Sequence, residues 1–208
     1  KKSNKMLVAT LFYCGLTATN NFSYILSVSY NHLGVNIAMA ILEVLHFPDP
    51  RLRNKAILVE EIGSDIKEIA ENMLVTMYSE NGIGLAATQV NIQKRIVVID
   101  LSEEKNEPLI LINPEITKLE GSESMREGCL SVPDYYDIVE RAENIEYCHK
   151  TLENKLVTTN ADGLLAVCIQ HEIDHLDGKL FIDYLSPLKR QRLKKKIDKQ
   201  EKVQQNLL

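Results

Sequence analysis

Leu164 to Gly178 reads LLAVCIQHEIDHLDG, and this stretch organises the chain. Leu164, Val167, Cys168 and Leu176 mark it as a helix that is at least partly buried. On a helix His171 and His175, four residues apart, sit one turn above each other, so both rings can reach one metal ion. Glu172 follows the first histidine directly. In the His-Glu-x-x-His pattern this carboxylate stays off the metal and handles protons for a bound water. Two unpaired imidazoles on an apolar helix face would be costly, which makes a chance arrangement the weaker reading. The chemistry implied is hydrolytic.

Two ligands do not hold a metal. Phe181 stands where the longer metzincin pattern wants a third histidine, and it cannot ligate. Further on, Leu188 to Lys196 is mostly basic and offers no carboxylate. Cys168 shares the histidines' face but lies ~10 Å from His175 along the axis at 1.5 Å per residue, which suits it to a pocket wall. His149, His46 and His32 stay open as donors, but none has a motif around it.

Cys129 does have one, Glu127-Gly128-Cys129-Leu130-Ser131. With Gly82 to Gln89 (GIGLAATQ) and Gln170 to His175 (QHEIDH) it completes three motifs in a fixed order. Together they resemble the peptide deformylase family, metalloenzymes that remove the formyl group from the N-terminal formyl-methionine of nascent polypeptides. The resemblance runs from about Met39 to Ser186 and beyond.

The resemblance implies a metal held by Cys129, His171 and His175, with a fourth position left for water. It implies Gln89 and the backbone N–H of Leu130 as donors to the carbonyl oxygen, and Glu172 as the proton carrier. Ile83, Met125, Leu164, Val167 and Cys168 would surround a methionine side chain. Glu127 and Arg141 would pair to hold the cysteine loop. Tyr135 and Tyr136 depart from the smaller or charged residues of related enzymes, at the rim of that pocket. A Cys-His-His site accepts iron, zinc or nickel on softness alone; the family pattern names Fe2+ first, with Zn2+ or Ni2+ as substitutes.

At 208 residues and 45% hydrophobic content the chain suits one domain with a proper core. A net charge of −5 argues against a general DNA or RNA binder. Cys14, Cys129, Cys148 and Cys168 have no regular spacing, so a reducing, cytoplasmic setting fits better than a disulfide scaffold. Residues 1–38 are rich in Asn, Ser and Thr and contain no acidic residue. The apolar run from Met6 to Leu16 is too short to span a bilayer, and an organellar transit peptide, which the acid-poor composition allows, would want arginine. The reading adopted is a dispensable extension, a catalytic domain over 39–186 and a basic C-terminal helix over 187–208.

From Ser64, as a cap, Ile66, Ile69, Ala70, Met73, Leu74 and Met77 recur at helical spacing. Gly82-x-Gly84-x-x-Ala87 matches a dinucleotide fingerprint only superficially, because a helix precedes it and a strand follows, the reverse of what that fingerprint needs. Its glycines instead permit close backbone approach, so an extended peptide can add as a strand near Ile83 and Gly84. Strands are expected at Arg95–Asp100, Leu109–Asn113, Ile138–Tyr147 and Leu156–Thr159. With no strand-helix alternation the class is α+β, mostly antiparallel around the metal-binding helix. Lys189 to Lys196, KRQRLKKK, reads as a solvated helix face; the resemblance adds docking on the ribosome near its exit tunnel.

Two other readings stay open. A general His-Glu-x-x-His zinc peptidase or amidase would share the helix without needing Cys129 or Gln89. A non-catalytic ribosome-associated module would close the fourth metal position with a protein ligand.

Overall fold

Strand β2, Ile96–Ile99, is IVVI with every residue buried, and a strand apolar on both faces has to be covered on both. The computed structural model, which describes residues 40–205, covers it in that way. A five-stranded antiparallel sheet runs in the order β1 (Gly84–Ala86), β2, β3 (Leu109–Glu120), β6 (Asn144–Lys150) and β7 (Leu156–Asp162). Helix α1, Ser64–Ser79, lays Ile66, Met73 and Met77 against Leu85, Ile96, Val98 and Ile112 on one face. On the other, helix α2, Gly163–Leu176, packs Ala166, Ile169 and Ile173 against Val97, Ile99, Leu111 and Tyr147. The central helix is therefore wrapped by protein, with every residue from Ala166 to Leu176 buried.

A separate hairpin of β4 (Glu123–Cys129) and β5 (Val132–Arg141) carries the cysteine motif. Behind it lies a third cluster in which Val132 and Val139 meet Leu180, Phe181 and Leu185. Helix α3, Pro187–Gln205, completes that cluster with Leu193 and, partly buried, Ile197, so the basic stretch is a solvated face with an apolar anchor beneath it. Helix α2 stops at Gly178, whose φ of +74° is left-handed and whose amide bonds back to the His175 carbonyl at 3.1 Å. A side chain at Gly178 would also run into the Arg53 carbonyl.

The α+β class and the antiparallel pairing agree with the expectation, but several boundaries differ. Ile138–Tyr147 is not one strand: the chain turns at Ala142 and Glu143, dividing β5 from β6. β3 extends to Glu120 because β6 pairs with its polar half. β4 was not expected, and Gly63 rather than Ser64 caps α1, with no side-chain hydrogen bond. The proposed extension, residues 1–38, lies outside the described residues, as do Cys14 and His32.

Candidate metal centre and substrate cavity

Buried in α2, His171 and His175 bring their Nε2 atoms to 3.2 Å from each other. The Cys129 Sγ, arriving from the end of β4, lies 3.2 Å from the His175 Nε2. These three donor atoms all fall within 4.8 Å of one another. The Nδ1 of His171 is 2.7 Å from the Glu127 carboxylate, a contact that orients the ring and leaves its Nε2 directed at the His175 Nε2. Phe181, at the position that could not ligate, stacks on the His171 ring with centroids 6.0 Å apart.

Burial first, and then the charge on its neighbour, drives the His175 pKa well below the ordinary histidine value, so the ring is kept neutral as ligation requires. For His171 burial works the same way but is outweighed by the Cys129 sulfur and the Glu127 carboxylate, which push it up to about 10. Glu127 itself is buried; its hydrogen bonds with His171 and Arg141 overcome that burial and hold its pKa below the usual value. Burial pushes Glu172 up to about 7, and its Oε2 has no protein partner. A soft sulfur, two imidazoles and an unpartnered carboxylate beside them fit a divalent transition metal, whose binding would displace the His171 Nε2 proton.

A cavity of about 580 Å³ opens over this cluster. Gln89, Leu130 and Glu172 line it, together with Ile83, Gly84, Met125, Glu127, Leu164, Val167 and Cys168, so these sequence-selected residues share one space. Gln89 is oriented by its own amide: Oε1 accepts from the Ala86 N–H at 2.8 Å, so Nε2 points to the Ser131 hydroxyl at 3.1 Å and Cys129 Sγ at 3.6 Å. β1 is the outermost strand of its sheet, so among the described residues no strand pairs with its far side, where Gly84 lines the cavity and the Ala86 N–H is taken by Gln89. Tyr136 stands at the rim with Arg126 over its ring at 5.0 Å, whereas Tyr135 turns away towards Phe181.

Other neighbours escaped the sequence reading. His46, left open as a donor, lines the cavity without joining the ligand cluster, while His149 does not line it and bonds locally through Nδ1 to the Lys150 carbonyl. Ser131 is fully buried beside Gln89, and Asp174 reaches Arg141. Asp174 falls inside the histidine motif and Ser131 inside the cysteine motif, and that adjacency was the available signal.

Such a centre does hydrolytic work, and the fold and site together define a metal-dependent hydrolase. Comparison with known proteins then narrows the class. Residues 41–191 match the family model described as polypeptide deformylase. A peptide deformylase of Pseudoalteromonas translucida is 59% identical over 164 residues, covering 79% of this chain and 98% of the relative. The crystal structure of a peptide deformylase from Legionella pneumophila is 44% identical with a TM-score of 0.75, covering 79% of this chain and 98% of that one. Another, from Synechococcus elongatus in complex with actinonin, is 44% identical with a TM-score of 0.71 and covers 77% and 88%. The chain belongs to the polypeptide deformylase family. Its activity is the hydrolytic removal of the N-terminal formyl group of polypeptides.

Proposed function

We propose that residues 39–186 form the catalytic domain and that Cys129, His171 and His175 hold the metal. The convergence of their donor atoms beneath the cavity, beside the unpartnered Glu172 carboxylate, is the observation that carries this reading. A divalent ion there would supply Lewis acidity, making a water nucleophilic near neutral pH. Glu172 accepts the proton of that water and delivers it to the departing amine. As charge builds on the formyl oxygen, Gln89 Nε2 and the Leu130 N–H donate to it. Met125, Leu164, Val167 and Cys168 enclose the methionine side chain beside Ile83, and the open edge at Gly84 pairs with the peptide main chain.

Ferrous iron is the proposed ion, with zinc and nickel as substitutes: one cysteine and two imidazoles admit all three, and the resemblance to the family puts iron first. Metal analysis of anaerobically purified protein tests this, with iron the expected result. Among the described residues no helix is long and apolar enough to cross a membrane. Cys129, Cys148 and Cys168 are all free, which supports a reducing cytoplasmic setting for the thiolate. The exposed Arg192, Lys194 and Lys195 of α3 form a positive face that we assign to ribosomal RNA or a ribosomal protein near the exit tunnel.

The assignment is tested by offering the iron-loaded protein formyl-Met, acetyl-Met and unblocked peptides side by side. Only the formyl substrate should be consumed. Internal cleavage would instead mark a general peptidase, and inertness towards all three a non-catalytic module.

A further inference from the structure

The proposed metal ligands of this molecule come from two elements that share no backbone ladder: among the described residues β4 pairs only with β5, whereas α2 packs on the other sheet. Their separation depends on side chains, and one buried guanidinium touches both. Arg141 donates through Nε and Nη2 to the two oxygens of Glu127 at 2.5 and 3.0 Å, and through Nη1 to Asp174 Oδ2 at 2.8 Å. Glu127 lies two residues before Cys129 on β4; Asp174 lies between His171 and His175 on α2. Only 4% of the Arg141 side chain and 11% of that of Asp174 are exposed, so solvent does not dilute the contact.

Asp174 needs a reason to be where it is. It sits in the last turn of α2, where the helix dipole disfavours negative charge. The Tyr184 hydroxyl nevertheless donates to the same Oδ2 at 2.8 Å, and the Tyr184 ring lies 5.1 Å from the Arg141 guanidinium. Two groups are thus spent on fixing one carboxylate oxygen that does not line the cavity.

We propose that Asp174 is a positioning residue of the metal centre: it ties Arg141 to the histidine helix, so that Arg141 and Glu127 hold the cysteine strand at the separation the ion requires. Tyr184 fixes the Asp174 carboxylate for that task. This inference rests on the metal-centre reading given above.

The test uses the full-length protein loaded with Co2+, read by its visible absorption and by competition against a chelator. Wild type should show a thiolate-to-cobalt band that is lost in Cys129→Ser. Absence of that band in wild type, or its survival in the variant, overturns the metal-centre reading and this inference with it. With the band in place, Asp174→Asn should weaken Co2+ affinity about tenfold or more and shift the ligand-field bands. It should lower kcat while leaving KM for a formyl-Met peptide nearly unchanged. Asp177→Asn breaks a different ion pair at the same helix end, Arg95 to Asp177 at 2.7 Å, and should change neither affinity nor spectrum. Tyr184→Phe keeps the ring and removes only the hydroxyl, and should weaken affinity in the same direction by a smaller factor. Wild-type affinity and spectrum in folded Asp174→Asn overturn the inference; if that variant does not fold, wild-type values in Tyr184→Phe do so.

Discussion

The Glu172 carboxylate rests against the α-carbon of Gly84, where an added methyl group would clash with one carboxylate oxygen and lie 2.9 Å from the Cys168 sulfur. Helix α2 and strand β1 approach this closely because Gly84 has no side chain. Gly84→Ala should force the Glu172 carboxylate and the strand edge apart while leaving Cys129, His171 and His175, the proposed metal ligands, in place. The expected result is a fall in kcat/KM on the order of a hundredfold, the cost of roughly an ångström of misplacement. Steady-state kinetics with parallel metal analysis checks it, with the metal content unchanged.

Glu172→Ala removes the carboxylate without touching a ligand. The protein should keep its metal and lose roughly a hundredfold or more in kcat, as expected for a missing general acid-base group. Near-normal turnover in the metal-loaded variant would take Glu172 out of the mechanism.

Gln89 offers a cleaner separation of roles than most buried amides. Its oxygen is committed to the Ala86 N–H, and its nitrogen faces the centre. Gln89→Glu keeps an acceptor for Ala86 and deletes the donor. We expect kcat to drop by about 10²–10³-fold, the usual effect of losing one donor to a developing oxyanion. Thermal unfolding should show whether the fold has been disturbed as well.

Asp100 gives a prediction about acid stability away from the metal. Burial opposes its charge, but the hydrogen bonds from Ser102, from the Tyr78 hydroxyl at 2.6 Å and from the Glu107 amide outweigh burial and hold its pKa below the ordinary carboxylate value. A carboxyl whose pKa is lower in the folded than in the unfolded chain stabilises the fold above the unfolded value, about 4, and loses that contribution as pH falls through the folded value. Asp100→Asn should therefore be less stable than wild type at pH 6, and the gap should close towards pH 3. Urea unfolding across that range would contradict this if the gap were constant.

The basic face of α3 can be tested without removing the helix, which matters because Leu193 is buried in the third cluster. Lys189 and Lys196 are left alone, since they bond to Asp137 and to the Asp134 carbonyl. Replacing Arg192, Lys194 and Lys195 together by Glu should abolish co-sedimentation with ribosomes at moderate salt. Hydrolysis of a short formyl-Met peptide should continue at the wild-type rate. Undiminished co-sedimentation would move the ribosome contact elsewhere.

The parts of this site that could be read from the sequence are the local ones. His171, Glu172 and His175 lie within five residues, so helical geometry alone places them together. Cys129 is 46 residues from His175, a distance no periodicity bridges, and its candidacy came from a three-motif resemblance. The Asp174–Arg141–Glu127 contact was only half anticipated, because the pairing across 33 residues to Asp174 depends on how the hairpin leans on α2. Among the strands, β2 declared itself through four consecutive β-branched residues. β4, ESMREGC, contains none and forms because β5 supplies its ladder. The far half of β3 is exposed and polar for the same reason, its pairing with β6 being set by partner rather than by propensity.

The bare outer margin of β1 has a consequence for breadth of use. Amide and carbonyl groups are the same in every protein, so a substrate main chain adding at that margin, as proposed above, would be gripped whatever its later residues, while the apolar hollow would inspect the first. An enzyme so built would serve a whole proteome through a single doorway, selective at the threshold and indifferent beyond it.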